Sequence, residues 1–540
     1  MFNFLKYDKC DPIRKDDAMK PLKIPVLVLA LTFLLSACAV YQSGQPSAPP
    51  VTQAPTAPEQ TDVTDIVLSD NGITVDGVPA GTDPAAAVYV ANNIVYYETG
   101  KDFTYGEGGE KDAHTADEAA AHTVVHITKP GIYSLSGKLS LGQIAVDLGD
   151  DAEDDPEAVV TLILNGADIT CNVAPAVIFY QVYECGNKDA DEASKDVDTS
   201  AAGANVIIAD GTVNHITGSY VEKIYKPESV VLSEDKTEVE DAKKLHKYDG
   251  AFYSRCSMNI FGGKDNTGVL NIKAENEGLD TELHLTVNGG NIYIESGNDG
   301  INTNEDGVSV TTVNGGTLSI RVTGETGEGD GIDSNGYLVI NGGTVTAVAC
   351  STSADAGIDS DLGIHINGGT VIATGHMLDQ IQSGGQNYAV FNFAQRQTGS
   401  ETVVMKDASG AAILETMPQN SYSILIFSSP QLKAGTYTLW SDGTQLAGGS
   451  GGMMGGFGGG MGRPDNGQPP EGAAPPQGGE PAGDFTPPDG QTPPEGQTPP
   501  DKPEGDRFGG QGGSWFGGQE QTPEFQIRDG GNMFSGILAK

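Results

Sequence analysis

Carboxylate and amide side chains recur at fixed positions in four related segments between residues 278 and 375. In each segment an acidic or amide residue follows a Gly-Ile or Gly-Leu pair, and another follows two positions later. An acidic residue also precedes the glycine in three of the four copies. Such oxygen-rich sets suit calcium, which takes about six to eight oxygen ligands with loose geometry. The predicted calcium ligands are Asp299, Asn302, Asn304, Asp330, Asp333, Asn335, Asp359 and Asp361.

These polar residues alternate with apolar or small ones, as they do along a β-strand. In Gly331-Ile332-Asp333-Ser334-Asn335, Ile332 and Ser334 share one face while Asp333 and Asn335 share the other. The copies therefore predict an inward apolar column of Leu279, Ile301, Ile332 and Ile358. They also predict an outward polar column of Asp280, Asn302, Asp333 and Asp359.

The outward column has an electrostatic consequence. Strands on successive rungs lie about 4.8 Å apart, and two carboxylates at that spacing repel by about 1 kcal/mol in water and by more in a shielded cleft. A cation within the column removes this repulsion. The alternative interpretation is that Asp and Asn are simply solvated turn residues of a very acidic protein.

A second phrase, an apolar residue followed by Asn-Gly-Gly, alternates with the first. Its asparagines, Asn288, Asn314, Asn341 and Asn367, are 26, 27 and 26 residues apart. Asparagine and glycine tolerate left-handed backbone conformations, and stacked amides can hydrogen-bond to one another. Three short strands per repeat, each paired with its equivalent in the next, predict an all-β parallel β-helix, or solenoid. A sandwich of antiparallel hairpins is the alternative, but the constant phase of the copies disfavours it.

The flanking sequence predicts how this domain, residues 65–446, begins and ends. Strand-like segments from Ile66 onward, including Val88–Tyr97, predict irregular N-terminal rungs, with loops inserted at 184–203 and 222–247. Beyond Gly375 the alternation continues without the corner motif, which predicts a C-terminal β cap over the last rung.

The composition excludes one class of partner. The 540 residues include 73 acidic and 30 basic side chains, so nucleic acid would be repelled.

Residues 447–519 are rich in Gly, Pro and Gln, cannot bury a core, and are predicted to be disordered. Residues 520–540 form a separate C-terminal segment in which Phe525–Arg528 predicts a last strand. We expect a monomer.

The first 38 residues have the pattern of an export signal. Ile24–Leu35 is largely apolar, and Met19 is the predicted true start because residues 1–18 are polar and charged. Leu35-Ser36-Ala37-Cys38 resembles a bacterial lipoprotein lipobox, which implies lipidation of Cys38. Residues 39–64 then read as a flexible linker. We expect attachment to the extracytoplasmic face of the cell membrane through the lipid alone.

The remaining cysteines and the basic residues give weaker signals. Cys171, Cys185, Cys256 and Cys350 lack zinc or redox spacing and are predicted to be buried thiols, with one disulfide as the alternative. A lyase would need a base beside the metal. Lys273 and Arg321 lie within the repeats but alternate with apolar neighbours, which favours surface positions.

Several segments together resemble a known family. They are Leu162–Gly166, Asp210–Asn214 and Asp249–Phe252, followed by the Gly-Ile-Asp and Asn-Gly-Gly units. From about Ile73 to Trp440 the chain resembles bacterial carbohydrate-binding lipoproteins with a right-handed parallel β-helix similar to pectate lyases. This resemblance implies surface attachment, bound calcium, and binding of plant polysaccharides such as cellulose or polygalacturonate, but not catalysis.

The sequence thus predicts a lipid-anchored, calcium-stabilised β-helix that binds plant or acidic polysaccharide. Two alternatives remain: a structural or adhesion protein without glycan specificity, and a polysaccharide lyase. The residues that contact the sugar are not indicated by the sequence.

Overall fold

The structure of the protein is a computed structural model that describes residues 61–450 and 521–539. Within these ranges the secondary structure is β apart from one α-helix (α1, Ala116–Ala120) and three short 3-10 helices. The 3-10 helices are Ala152–Asp154, Ala190–Glu192 and Pro227–Ser229. The prediction of an all-β protein is therefore confirmed. None of the helices in the described part of the chain has the length and apolar character that a membrane span requires.

Several predictions concern residues that the structure does not describe. The export signal, Cys38 and residues 39–60 of the linker lie outside the described residues, as do residues 451–519 of the low-complexity segment. The described residues belong to one compact unit, Ala54–Lys540.

Eleven strands lie in the described residues before the insertion at 222–247. They are β1 (Val63–Leu68), β2 (Thr74–Val75), β3 (Val78–Pro79), β4 (Val88–Ala91), β5 (Thr123–Ile127), β6 (Gly131–Leu139), β7 (Gly142–Asp147), β8 (Val160–Thr170), β9 (Val177–Gln181), β10 (Ala204–Ile208) and β11 (Val213–Gly218). The predicted strand Val88–Tyr97 is thus too long, since β4 ends at Ala91. The predicted loop at 184–203 is confirmed, because no strand lies between β9 and β10 in this described stretch.

The second predicted loop, residues 222–247, is wrong. This stretch contains most of β12 (Val221–Tyr225), β13 (Val231–Leu232), β14 (Val239–Asp241) and most of β15 (Lys244–Tyr248). Strand β12 pairs antiparallel with β15, and β13 with β14. The many charged residues suggested a loop, but β12 also contains three buried side chains, Val221, Ile224 and Tyr225.

Fourteen strands form the repeated region. They are β16 (Gly250–Ser254), β17 (Met258–Gly262), β18 (Val269–Ala274), β19 (Glu277–Thr281), β20 (Leu285–Val287), β21 (Asn291–Ser296), β22 (Ile301–Thr303), β23 (Val310–Val313), β24 (Thr317–Val322), β25 (Ile332–Ser334), β26 (Tyr337–Ile340), β27 (Thr344–Val348), β28 (Gly363–Ile366) and β29 (Thr370–Gly375).

Equivalent strands of successive repeats pair in parallel and form three ladders. The first ladder runs β9, β16, β19, β22, β25. The second runs β10, β17, β20, β23, β26, β28. The third runs β11, β18, β21, β24, β27, β29. The pairing brings each repeat position beside the equivalent position of its neighbour.

The predicted inward column is confirmed. Leu279 pairs with Ile301, Ile301 with Ile332, and Ile332 with Ile358 through an isolated bridge. All four side chains are fully buried. Burial of each contributes about 1.5–3 kcal/mol relative to exposure, so this column stabilises the stacking of the repeats.

The Asn-Gly-Gly phrase forms a corner between the second and third ladders. Asn314 donates a side-chain hydrogen bond to the Asn288 amide oxygen at 2.8 Å, Asn341 to Asn314 at 2.9 Å, and Asn367 to Asn341 at 2.8 Å. We call these four residues the asparagine ladder. The left-handed position is the second glycine, as at Gly343, whose φ is +78°. The asparagines themselves do not adopt it.

Eight strands follow the repeats. They are β30 (Tyr388–Gln397), β31 (Val403–Asp407), β32 (Ala412–Thr416), β33 (Tyr422–Ser428), β34 (Gly435–Ser441), β35 (Thr444–Ser450), β36 (Phe525–Ile527) and β37 (Gly531–Ala539). Strand β33 pairs antiparallel with β29, which ends the parallel order of the third ladder. A separate aromatic core that includes Phe391, Phe427 and Phe525 lies within this C-terminal β region.

The four cysteines of the described region are free thiols, so the disulfide alternative is wrong. Cys171, Cys256 and Cys350 are buried as predicted, whereas Cys185 is half-buried. Burial raises the pKa of the Cys171 thiol to about 12, which makes it a poor nucleophile.

Candidate functional site

Three acidic side chains converge beside the first ladder. Asp249 immediately precedes β16, Glu277 begins β19, and Asp280 lies within β19. One carboxylate oxygen from each lies within 4.8 Å of the others. The exposed fractions of these residues are 6%, 5% and 0%. We call this group the carboxylate cluster.

The register of β16 and β19 positions the cluster. Gly250 pairs with Glu277, and Tyr253 pairs with Asp280. A Cβ atom on Gly250 would lie 2.5 Å from the Asp280 Cβ atom. Glycine at 250 is therefore what allows the Asp280 side chain to approach the neighbouring strand.

Amide side chains of the next rung satisfy part of the cluster. Asn302 Nδ2 donates to Glu277 Oε1 at 3.1 Å, and Asn304 Nδ2 donates to Asp280 Oδ1. Three oxygens remain buried without a hydrogen-bond partner among the described residues: Glu277 Oε2, Asp280 Oδ2 and Asn302 Oδ1. Buried polar atoms without partners are unfavourable, so these oxygens mark a position suited to a bound cation.

One cation of the protein itself contacts the cluster. Lys247 Nζ lies 2.8 Å from Asp249 Oδ2. Proximity to Asp249 raises the pKa of Lys247 and keeps it protonated. Burial raises the pKa of Glu277 and of Asp280, and nearby carboxylates raise both further. Burial also raises the pKa of Asp249, an effect that Lys247 opposes.

The outward column is covered rather than exposed, which corrects the sequence prediction for its first members. Asp280 and Asn302 are buried, and so is Asp299 in the neighbouring column. The side chains of adjacent rungs lie against one another here, as Asn302 does against Glu277 and Asn304 against Asp280, and the insertion that contains β15 contacts the same face. Its Lys247 reaches Asp249, and its Lys244 lies 3.1 Å from Glu282, which also accepts a hydrogen bond from the Tyr253 hydroxyl.

The predicted ligands occupy a gradient of burial along the first ladder. Asp299 and Asn302 are buried, and Asp361 is exposed. Between these extremes, five predicted ligands are half-buried: Asn304, Asp330, Asp333, Asn335 and Asp359. The structure therefore brings Asn302 and Asn304 to the carboxylate cluster. Asp299 lies on the same rung and helps to raise the pKa of Glu277, while the other five predicted ligands lie on later rungs.

Some of the predicted ligands already have structural partners. Asp299 Oδ1 accepts the backbone N–H of Asp330 at 2.7 Å, and Asp330 Oδ1 accepts that of Ala356. Asn335 Nδ2 donates to the Asn304 carbonyl oxygen at 2.9 Å. These contacts connect one rung to the next.

Charge repulsion persists along the column. Burial raises the pKa of Asp330, with Asp299 as the next cause. Burial, together with Asp379 and Asp333, raises the pKa of Asp359 to about 7. These carboxyl groups therefore retain protons more readily than exposed ones do.

Sequence reasoning missed the centre of the site. The predicted set omitted Asp249, Glu277 and Asp280, although Glu277 and Asp280 occupy the same columns as Asp299 and Asn302. Both residues already stood in the aligned columns, so taking every acidic or amide member of those columns as a ligand would have included them. Asp249 lies outside these columns, since Gly250 pairs with Glu277 and Tyr253 with Asp280. No sequence signal indicated Lys247, because it comes from an insertion.

The bases that the repeats offered lie elsewhere. Lys273 is exposed and Arg321 half-buried on the third ladder, where both approach Glu295, at 3.9 and 3.1 Å. Their predicted surface positions are confirmed. Arg255 pairs with Glu153 at 3.1 Å.

Comparisons with known proteins show similarity to carbohydrate-binding proteins. Residues 121–387, which include all three ladders, match a family model described as carbohydrate-binding domain-containing protein. A carbohydrate-binding domain-containing protein of Acetivibrio thermocellus is 29% identical over 173 residues, or 32% of this chain. The alignment covers 45% of that relative, so the chain spans about half of its length.

A solved structure gives a more distant likeness. A polysaccharide lyase-like protein from C. thermocellum, studied as a gadolinium derivative, aligns with 57% of this chain and 93% of its own. The identity is 20% and the TM-score is 0.30. That score is too low to carry an argument about the fold.

Proposed function

We propose that this protein binds plant or acidic polysaccharide, of the polygalacturonate or cellulose type, at the cell surface. The observation that carries the proposal is the match of residues 121–387 to a carbohydrate-binding family. The matched region contains the repeats and the carboxylate cluster. The similarity to carbohydrate-binding proteins therefore lies in the part of the chain whose side chains form repeated columns.

Retention on immobilised polysaccharide tests this proposal. The full chain in detergent should be retained on polygalacturonate or cellulose and released by the soluble form of the same polysaccharide. Passage through both, and through a panel of other glycans, would favour the adhesion alternative instead.

We further propose that the three ladders form a right-handed parallel β-helix. The parallel, in-register pairing of equivalent strands supports this architecture. Connections between parallel strands of one sheet are right-handed in about 98% of cases. A crystal structure with a left-handed coil, or with antiparallel hairpins in place of the ladders, would argue against the architecture.

Calcium is the proposed ligand of the carboxylate cluster. Calcium–oxygen distances are about 2.3–2.6 Å, so two oxygens that share one ion lie at most about 5.2 Å apart. The 4.8 Å limit within the cluster satisfies this condition. Asn302 Oδ1 and the unpaired oxygens of Glu277 and Asp280 supply the hard donors that calcium prefers. When bound, calcium would supply positive charge that offsets the buried acids.

The lyase alternative needs an accessible neutral base beside the metal. Lys247 contacts the cluster, but Asp249 raises its pKa and favours the form that cannot accept a proton. We therefore favour binding without catalysis. Ultraviolet absorbance of unsaturated products after incubation with polygalacturonate and calcium would reverse this preference.

Membrane attachment through Cys38 is a further part of the proposal. It rests on the lipobox-like Leu35-Ser36-Ala37-Cys38 sequence. Cys38→Ser should move the protein from the membrane fraction to the soluble fraction. Unchanged membrane association of this variant would exclude the lipid anchor.

A further inference from the structure

The outer face of the third ladder carries two columns of side chains. The first column is His215, Asn271, Tyr293, Ser319, Thr346 and Ile372. The second column is Thr217, Lys273, Glu295, Arg321, Val348 and Thr374. Six strands contribute to each column. At about 4.8 Å per strand spacing, the columns extend about 24 Å, which is long enough for several linked sugars.

These columns form the floor of a groove. Its open part encloses about 410 Å³ and is lined by residues of both columns, from His215 to Arg321, and by Gln419. A smaller cavity continues past Arg321 toward Thr374 and shares Ser319, Arg321 and Gln419 with it. Residues 416–419 line the smaller cavity. The groove therefore follows the columns across the face, as an extended polymer would require.

An exposed aromatic side chain lies within the groove. Tyr293 is 44% exposed, although the flanking strand residues Ile292 and Ile294 are buried. Within the described part of the chain its ring takes part in no aromatic pair. The face of a tyrosine ring is apolar, while its hydroxyl is polar. Such a ring can stack against the C–H face of a sugar.

The groove also carries positive charge on an acidic protein. Arg321 and Lys273 share a single carboxylate, Glu295, whereas the whole chain has a formal net charge of −43. Arg321 donates one hydrogen bond to Glu295 Oε2 through Nη1, and its side chain is 40% exposed. Guanidinium groups pair with carboxylates through two parallel N–H donors. Arg321 therefore has donor capacity for the carboxylate of an acidic sugar.

We propose that this groove binds a uronate-containing polysaccharide, with one sugar ring stacked on Tyr293 and a sugar carboxylate held by Arg321 and Lys273. The inference rests on the proposed carbohydrate-binding function and names the site and the sugar class within it. The groove lies on the third ladder, whereas the carboxylate cluster lies on the first. Sugar binding and the proposed stabilisation by calcium are thus assigned to different ladders.

Titration calorimetry of the full chain in detergent, with oligogalacturonate and with cello-oligosaccharide as separate ligands, tests the proposal. Tyr293→Ala and Arg321→Gln should each weaken oligogalacturonate binding about tenfold or more, as expected at a binding hot spot. Tyr293→Phe should retain binding, because it keeps the ring. The melting temperature of each variant shows that the fold is preserved.

Two substitutions away from the groove serve as matched controls. Phe103 is 46% exposed, similar to Tyr293, so Phe103→Ala controls for loss of an exposed aromatic ring. The Lys101 side chain is 41% exposed and paired with Glu98, much as Arg321, at 40%, is paired with Glu295. Lys101→Gln therefore controls for loss of a paired cation. Neither control should change the affinity.

The outcomes separate this inference from the function on which it rests. Oligogalacturonate binding that is unchanged in Tyr293→Ala and Arg321→Gln would overturn the groove while leaving carbohydrate binding intact. Binding of cello-oligosaccharide alone by the unaltered chain would overturn the uronate class. No binding of any glycan by the unaltered chain would overturn the proposed function, and this inference with it.

Discussion

Two columns of the repeats stack similar polar side chains, but only in one of them do the side chains satisfy one another's hydrogen bonds. In the asparagine ladder each amide after the first donates to the amide of the preceding repeat, at 2.8–2.9 Å. In the outward column and the adjoining carboxylate cluster, buried oxygens of Glu277, Asp280 and Asn302 find no hydrogen-bond partner among the residues that the structure describes. Both columns follow the same rung spacing, so the difference comes from the chemistry of the side chains.

An amide carries a donor and an acceptor, so identical amides can satisfy one another along a column. An ionised carboxylate is only an acceptor, so identical carboxylates repel and need another group. Here that group is an amide at Asn302, an ammonium at Lys247, and a backbone N–H above Asp299. The asparagine ladder can therefore be a self-sufficient structural element, whereas the carboxylate column depends on what surrounds it.

Removal of divalent cations should produce the largest effect, because it acts on the carboxylate column and leaves the asparagine ladder intact. Calcium at 100 to 1,000 times its Kd would stabilise the fold by about 3–4 kcal/mol. We expect the melting temperature, measured by calorimetry, to fall when calcium is replaced by a chelator. A variant with Glu277→Gln and Asp280→Asn should melt at one temperature in both conditions. Identical melting of the unaltered chain with and without calcium would refute a cation in the cluster.

The pH dependence of stability in chelator should also distinguish the two columns. Burial raises the pKa of Asp359 from 3.8 to about 7, so the folded state keeps a proton that the unfolded chain has already released. The free energy of unfolding should therefore fall between about pH 4 and pH 7, by roughly 2–4 kcal/mol from this group. Urea unfolding at a series of pH values measures the slope. Asp359→Asn should flatten it, and an unchanged slope would show that Asp359 is not responsible.

Gly343→Ala should destabilise the corner independently of calcium. Gly343 has a φ of +78°, and an added Cβ would lie 2.7 Å from the Gly316 carbonyl oxygen. Strain and steric conflict together should lower the free energy of unfolding by about 2–3 kcal/mol. Gly307→Ala is the matched control, since Gly307 has a φ of +71° but open space around it. Denaturant unfolding should show a smaller loss there, about 1 kcal/mol; equal losses would mean that the steric contact is unimportant.

The smallest effects should come from the asparagine ladder itself. Asn314→Ala removes two ladder hydrogen bonds, whereas Asn367→Ala removes one. At about 0.5–1.5 kcal/mol per hydrogen bond, Asn314→Ala should cost about 1–2 kcal/mol and Asn367→Ala about half as much. Neither loss should depend on calcium in denaturant unfolding. A calcium-dependent loss at Asn314 would contradict the separation of the two columns.

The repeats made part of this architecture predictable. A constant phase fixes both the neighbour of each residue and the face on which it lies, so Leu279, Ile301, Ile332 and Ile358 could be assigned to one column from the sequence. The asparagine ladder followed in the same way. Periodicity was informative because the partner of each residue is its own equivalent one repeat away.

The burial of the outward column was not predictable in this way. Part of the surroundings comes from β15, whose Lys247 and Lys244 contact Asp249 and Glu282. Strand β15 pairs antiparallel with β12, and residues 226–243 separate the two strands. Their high charge suggested a loop, and nothing periodic connects Lys247 to Asp249 or Lys244 to Glu282. The sequence therefore identified the type of side chain in the site, but neither the insertion that contacts it nor its central residues.

The residues on either side of the segment between β35 and β36 lie next to each other in the C-terminal β region. Gly448 and Thr522 exchange two backbone hydrogen bonds of 3.0 Å, and β37 pairs with both β30 and β35. The last two strands are thus held by neighbours that do not depend on peptide continuity through residues 451–520. A single backbone cleavage in that stretch would leave two fragments that stay associated, so the protein would appear cut on a denaturing gel yet elute as one particle in native chromatography.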